Sequence, residues 1–295
     1  MSEGPVQVRG EVLVLRKVGA YHHATLVAPG IAERTRPGQF VALAVGGSSS
    51  ALSLRRAFSI YKVSPEGVYG GTVEIVFAVT GAGTAWLAAQ HPHTALDVVG
   101  PLGRPFMLPR ASASATLVGG GYGSAPLFGL AETLRARGCR VDFVLGAASQ
   151  ERIFGALDAR RMASTVAVTT DDGSLGTKGW VTDVLPAVMS RARTEVVYAC
   201  GPMAMLRAVS AVAAEQGVPA QCAVEESMAC GIGICMTCVL PVVGDDGVTR
   251  MVRSCVDGPV FLGDRVRWDD IGTVPSDTFG APPAPVTTSA AGGRR

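Results

Sequence analysis

Four cysteines in one short stretch constrain this chain more than any other feature. Cys230-Gly-Ile-Gly-Ile-Cys235-Met-Thr-Cys238 is followed, after sixteen intervening residues, by Cys255. The first three follow C-x4-C-x2-C, the spacing of plant-type [2Fe–2S] ligands, and a two-iron cluster needs four thiolates, two per iron. Gly231 and Gly233 let the backbone curl and aim amide N–H groups at the sulfurs, which stabilises their negative charge. The alternative is a structural zinc site, although zinc sites more often pair one C-x2-C with another. The short interval before Cys255 suggests a reduced ferredoxin-like module. The chain has seven cysteines, and an odd number in a protein read as cytoplasmic argues against a disulfide framework. Cys139 and Cys222 are read as packing thiols, Cys222 with a spare-ligand alternative.

Around this segment the sequence divides by hydrophobic period. Residues 6–18, 21–28, 40–45, 57–63, 73–79 and 95–99 are short apolar, β-rich runs separated by Gly, Pro and Ser, with one helical stretch at 84–90. Six such runs predict an antiparallel barrel or sandwich. From about residue 111 strands alternate with helices. Strands are expected at 115–118, 140–145, 165–169 and 195–199. A helix carries Leu127, Leu130, Ala131 and Leu134 on one face, and others are expected at 182–189 and 203–216. That alternation predicts a parallel α/β sheet. A cysteine-bearing segment follows, too small for a large core of its own. The tail APPAPVTTSAAGGRR is expected to be disordered.

Composition removes several classes of function. Hydrophobic residues make up 48% and charged residues 17%, so real cores can form, and a net charge of +2 without a basic run disfavours nucleic acid as a partner. No signal-peptide core and no run of 18 apolar residues is present, which reads as cytoplasmic with no membrane association.

Two glycine-rich turns mark a candidate nicotinamide site. Gly119, Gly120, Gly121 and Gly123 join a strand to a helix, where backbone can approach a pyrophosphate and orphan amides can bind it. Their register is not a clean G-x-G-x-x-G. Cys200, Gly201 and Pro202 end the last strand of the same sheet, so both turns can face one crevice. In the β domain, Arg56, Phe58 and Ser59 could contact a phosphate, a flavin ring and a ring nitrogen. Strand alternation puts Ser59 opposite the other two. Gly81–Thr84 opens the one helix there. His22, His23, His91 and His93 read as surface residues, Asp171 and Asp172 as a polar turn, and Glu225 and Glu226 as solvated strand positions, with shaping the potential near the cluster as their alternative role. No dense Arg pair follows residues 140–145, which leans toward NADH over NADPH.

In order, these motifs read R-x-F-S, G-x-G-T, P-L-G-x-P-F, G-G-G-x-G-x-A-P-L, C-G-P-M, M-A-C-G-I-G-x-C-x-x-C and C-x-D-G-P-V-F. Together they resemble the ferredoxin-NADP reductase superfamily, most closely the electron-transfer subunit of type B dihydroorotate dehydrogenase, over about residues 5–270. The resemblance implies an FAD-binding β-barrel over 1–109, a Rossmann-like NAD-binding α/β domain over 110–217, a [2Fe–2S] module over 218–270 and a tail over 271–295. It implies that Arg56, Ala57, Phe58 and Ser59 bind FAD, that Val76, Phe77 and Ala78 line the flavin, and that Gly83 and Thr84 hold its pyrophosphate. Cys200 would lie near the nicotinamide, and Cys230, Cys235, Cys238 and Cys255 would hold the cluster. Ala57 departs from the family, which often has Pro there. The implied function is electron transfer between NAD(H), FAD and a [2Fe–2S] cluster, and on to an FMN-bearing catalytic subunit that interconverts dihydroorotate and orotate, in a heterotetramer. A (β/α)8 barrel takes about 250 residues, so that chemistry would sit on a second polypeptide. Reductase subunits of hydrogenase, sulfide dehydrogenase or oxygenase systems share much of the pattern. A non-enzymatic zinc-binding interaction module is the alternative of another class.

Overall fold

The structure is a computed structural model that describes residues 4–47, 51–67 and 69–282. Its first part is a closed six-stranded barrel. Strands β1 (Val6–Val18), β2 (Tyr21–Val27), β3 (Phe40–Leu43), β4 (Arg56–Ser64), β5 (Thr72–Phe77) and β6 (Ala95–Leu102) close in the order β1-β2-β5-β4-β3-β6, every recorded pairing antiparallel. Inward positions supply the core: Val12, Leu26, Val41, Leu43, Val73, Ile75 and Val98 are all fully buried. Helix α1 (Ala82–Ala88) begins two residues before the expected start. Thr84 is why: its hydroxyl accepts from the backbone N–H groups of Thr80 (2.9 Å) and Gly81 (3.1 Å), so it serves the first turn from within.

The second part is a seven-stranded sheet. It contains β7 (Ser114–Gly120), β8 (Arg140–Ala147), β9 (Thr165–Thr170), β10 (Thr177–Lys178), β11 (Val196–Cys200), β12 (Ala220–Ala223) and β15 (Val260–Leu262) in the order β10-β9-β8-β7-β11-β12-β15. All neighbours are parallel except the β12–β15 pair. Helices α2 (Ala125–Ala136), α3 (Ala156–Met162), α4 (Val181–Ala192) and α5 (Met203–Glu215) connect the strands. The boundary expected at 217/218 does not coincide with a break in this sheet. β12 and β15 both come from the segment assigned to the cysteine module, because burying their apolar residues completes the sheet core over Val197 and Leu206. What stands apart is the cysteine loop and the hairpin of β13 (Val239–Val243) with β14 (Thr249–Arg253).

Residues 271–282, expected within a disordered tail, are docked on that hairpin. The Phe279 amide donates to the Thr249 carbonyl (2.8 Å), Arg267 Nη1 binds Asp277 (2.6 Å), and the Arg250 guanidinium lies 5.8 Å from the Phe279 ring centre. Residues 283–295 lie outside the described part. His23, read as a surface residue, is buried on β2, its Nε2 2.6 Å from the Glu74 carboxylate.

Barrel and α/β sheet meet through aromatic rings. Tyr61 on β4 packs edge-on against Phe128 on α2 (5.7 Å) and against Phe154 (5.5 Å). Lys62 adds a 3.0 Å ion pair to Glu132 of α2, and the Tyr21 hydroxyl donates to the Arg152 carbonyl (2.8 Å). Gly155 closes this interface: its φ is +73°, and a Cβ there would run into the Phe128 ring. Gly155→Ala is expected to destabilise the protein by about 1–4 kcal/mol through left-handed strain and overpacking. Equilibrium denaturation of the variant checks this, and an unchanged midpoint would mean that Phe128 can move aside.

Candidate functional site

Two cavities lie along the seam between barrel and sheet, and they share a wall. The smaller, about 260 Å³, is lined by the start of β4 (Arg56, Ala57, Phe58, Ser59), by Val76, Phe77 and Ala78, and by Thr84. All these candidate flavin residues therefore face one space. Both faces of β4 contribute. Ala57 and Ser59 are exposed, whereas Phe58 is buried in the barrel with its ring edge-on to Phe77 at 5.5 Å. Gly83 does not line the cavity. A Cβ there would come within 2.9 Å of Arg56 Nε, so its bareness makes room for that guanidinium.

The opposite wall belongs to the sheet. Gly123, Cys200, Gly201, Val224, Glu225 and Glu226 complete the crevice. Parallel strands end together, so β7 and β11 bring their turns side by side, and a Cβ on Gly123 would sit 2.8 Å from the Gly201 Cα. Burial pushes the Cys200 thiol well above its ordinary pKa, with further contributions from Glu225 and Cys222. It is a neutral thiol at the crevice wall.

The larger cavity, about 650 Å³, runs over the carboxyl ends of the parallel strands. Gly120, Gly121 and Gly123 line it from β7, and Pro202 lines it from β11. Gly121 has φ +56°, a left-handed turn that suits glycine. Gly119 stands back: a Cβ there would collide with Ser124, so it serves close packing of turn on helix.

Tyr122 and Glu225 line both cavities, and neither was singled out as a ligand contact from sequence. The Tyr122 hydroxyl lies 3.1 Å from the Glu225 carboxylate. Burial first, then Glu225, raise the Tyr122 pKa, so the phenol keeps its proton. Glu225 is exposed, as a solvated residue would be, and Glu226 is half-buried, but neither lies on a strand. β12 ends at Ala223 and the chain leaves it along the crevice. Burial raises the Glu226 pKa.

Met228 and Phe40 line the smaller cavity from a third side. Phe40, Ala42 and Leu102 of the barrel also bury Cys238 and Cys255, with Met228 packed against them. The four cluster cysteines fall into two facing pairs. Cys230 lies beside Cys235, and Cys238 beside Cys255. A two-iron cluster takes two thiolates per iron, so this donor set fits it.

The glycines act as expected. Gly231 (φ +71°) and Gly233 (φ +86°) turn the loop so that the amides of Ile232 (3.5 Å) and Ile234 (3.3 Å) point at Cys230 Sγ. Arg253 Nη1 holds the loop at the Gly233 carbonyl (2.7 Å). Burial would raise the Cys230 pKa, but the amide donors outweigh it and leave it lowered. The Thr237 hydroxyl, 3.2 Å away, leads the interactions that bring Cys235 down to about 6. Burial and Cys238 push Cys255 up to about 12. Cys139 and Cys222 are both buried, and burial raises Cys222 to about 12.

The family model for the iron-sulfur cluster binding domain of dihydroorotate dehydrogenase B matches residues 225–267, which include all four cysteines. The dihydroorotate dehydrogenase B (NAD(+)) electron transfer subunit of Desulforamulus reducens is 38% identical over 243 residues, covering 82% of this chain and 90% of that one. The Bacillus caldolyticus subunit is 40% identical over 247 residues, covering 83% and 92%. The chain belongs to the family of dihydroorotate dehydrogenase B electron transfer subunits. Among solved structures, an NADH-dependent reduced ferredoxin-NADP oxidoreductase studied for flavin-based electron bifurcation superposes with a TM-score of 0.77 at 30% identity, over 89% of this chain and 91% of that one. The ferredoxin reductase of carbazole 1,9a-dioxygenase shares the fold, with a TM-score of 0.61 at 22% identity over 72% of this chain and 67% of that one. Among the described residues no helix is long and apolar enough to cross a membrane.

Thiolates, not thiols, are alkylated. In metal-free protein, Cys235 is expected to react with iodoacetamide first, with half its maximal rate near pH about 6. Cys200 should stay unmodified through about pH 8.5, where an ordinary thiol is half ionised. Peptide mapping over a pH series reads both, and early labelling of Cys200 would contradict its burial.

Proposed function

We propose that this chain accepts hydride from NADH, passes the electrons through FAD to a [2Fe–2S] cluster, and delivers them to the FMN-containing catalytic subunit of a dihydroorotate dehydrogenase, or runs the same path in reverse. One observation carries the reading. The smaller cavity shares Tyr122, Gly123 and Glu225 with the dinucleotide-sized cavity on one side. On the other it shares Phe40 with the buried cysteines Cys238 and Cys255.

When bound, a flavin exchanges the two electrons of a hydride for single electrons, which a [2Fe–2S] cluster takes one at a time. The protein's part is placement. Arg56 would bind the flavin's phosphates and Ala57 and Ser59 its ring system, with Val76, Phe77 and Ala78 along its edge. Gly120, Gly121 and Gly123 offer amides to the pyrophosphate of the dinucleotide. Cys200, kept neutral, would give bound flavin and nicotinamide an uncharged wall. Cys230 with Cys235, and Cys238 with Cys255, would each hold one iron.

The exit for electrons is the cysteine loop. Ile232, Ile234 and Met236 are 49%, 76% and 50% exposed around the exposed Cys235. An apolar rim of this kind suits a protein partner. The relatives' name, electron transfer subunit, fits a catalytic partner bound there, in a heterotetramer within the cytoplasm.

Two variants test the path. Cys255→Ser is expected to abolish cluster absorption and reduction of the catalytic subunit, while NADH-driven ferricyanide reduction at the flavin stays within about threefold. Loss of both activities together would argue against a sequential path. Ile234→Lys should keep flavin and cluster spectra yet weaken capture of the catalytic subunit by about tenfold or more. Unchanged capture would move the docking surface elsewhere.

A further inference from the structure

We propose that Arg55 is a positioning residue for flavin binding: by gripping Asp97 past the end of β3 it fixes the start of β4, so that Arg56 faces the flavin phosphates. The inference rests on the reading of Arg56 as the phosphate ligand.

Arg55 and Arg56 are neighbours in the chain, and of the two Arg56 lines the smaller cavity. Successive residues of an extended chain point to opposite sides, so Arg55 is directed elsewhere. Its Nη2 lies 2.9 Å from Asp97 Oδ1. Its Nη1 donates to the Asp97 carbonyl (3.1 Å) and, more weakly, to the Ala42 carbonyl (3.5 Å). Asp97 belongs to β6 and Ala42 to β3.

The place of these contacts gives them their weight. β5 pairs with β4 only from Ile60 onward. The flavin stretch Arg56–Ser59 is therefore held along one edge alone, by β3. That strand is four residues long, and its pairings with β4 and β6 both stop at Leu43. Just beyond, the Ala44 amide donates to the Asp97 carbonyl (3.0 Å), the same oxygen that Arg55 reaches. In the barrel order β4-β3-β6, Arg55 thus ties β4 to β6 directly where the strand between them runs out.

Arg56 depends on that tie for its direction. Its Nη1 donates to the carbonyls of Leu54 (2.8 Å) and Arg55 (3.3 Å), and its Nε sits in the space that Gly83 leaves at the start of α1. The backbone that Arg55 anchors therefore aims the next guanidinium, and releasing the anchor displaces both carbonyls. Asp97 is braced independently from β1, where Gln7 Nε2 donates to Oδ2 (2.7 Å). That contact does not involve Arg55, so it separates the anchor from the barrel around it.

The test uses the full chain with its cluster in place and its flavin removed, and titrates FAD by fluorescence quenching. Arg55→Ala is expected to raise the FAD Kd about tenfold and Asp97→Asn about threefold, with Gln7→Ala within about twofold of wild type. Because Arg55 acts through Arg56, adding Arg55→Ala to Arg56→Lys should cost less than about threefold more. Unaltered cluster absorption shows that the variants fold, and Asp97→Asn carries the test if Arg55→Ala does not. If Arg56→Lys weakens FAD but neither anchor variant moves Kd beyond about twofold, the anchor is wrong and the phosphate reading stands. If Gln7→Ala weakens FAD as much as Arg55→Ala, or the two arginine effects multiply in full, Arg55 acts on the barrel at large and the proposal is overturned. If Arg56→Lys leaves FAD binding within about twofold, the phosphate reading falls and the role of Arg55 with it.

Discussion

The ring of Phe40 belongs to two environments at once, and the rest of the site is arranged around it. One side faces the flavin-sized crevice, and the ring also packs with Cys238 and Cys255. The barrier between the two spaces is therefore about one side chain thick. Small residues keep it thin. Ala42 stands beside Phe40, and Gly231 brings the cysteine loop against both without a side chain of its own. On the same flank Gly103, at φ +75°, has no room for a Cβ against Pro259 and Phe40. The barrel wall and the cysteine module thus touch backbone to backbone, and Arg104 bridges to Pro259 at that point.

The other side of the crevice depends on a comparable approach. Gly123 meets Gly201, and a Cβ on Gly120 would come within 2.8 Å of Met205 Sδ and Pro202 Cδ. The two turns, which line both cavities together, are held in contact because neither carries a side chain there. The aromatic interface of Tyr61, Phe128 and Phe154 then fixes the sheet against the barrel. Rings interlocked edge-on resist sliding better than aliphatic contacts, since their geometry is directional.

Much of this was legible in the residues, for a physical reason. Barrel strands announce themselves by alternation, the parallel sheet by buried runs between amphipathic helices, and the cysteines by spacing. All are local signals. What the sequence did not reveal depends on partners distant in the chain. β12 and β15 are four and three residues long and carry no period of their own, so their place in the sheet follows only from the surface they cover. α3 buries a single residue, Ala159, and shows no apolar face. Gly83 and Gly119 look like ligand glycines in a motif, yet each makes room for a neighbour, Arg56 and Ser124. Asp171 and Asp172 are indistinguishable as a dipeptide; only the Ser174 hydrogen bonds separate them. Glu225 gains its place because the strand before it stops short.

The treatment of sulfur shows how the fold divides its chemistry. Cys200 and Cys235 have the same side chain, and their surroundings send them in opposite directions. Cys200 ends a central strand, buried with the carboxylate of Glu225 near enough to oppose a second negative charge, so the proton stays on sulfur. The nearby Tyr122 phenol is held protonated by the same two influences, burial and Glu225. A bound flavin and nicotinamide would supply hydride transfer, and the junction places no ionised group at these two positions. At the cysteine loop the balance reverses. Cys235 is exposed, so burial costs it little, and the Thr237 hydroxyl donates to its sulfur. Cys230 loses some hydration, but the amides that Gly231 and Gly233 turn toward it more than compensate. Thiolate is the form that binds iron. Cys255 lies deeper, and burial first, then Cys238, raises its pKa, so binding iron there must release its proton.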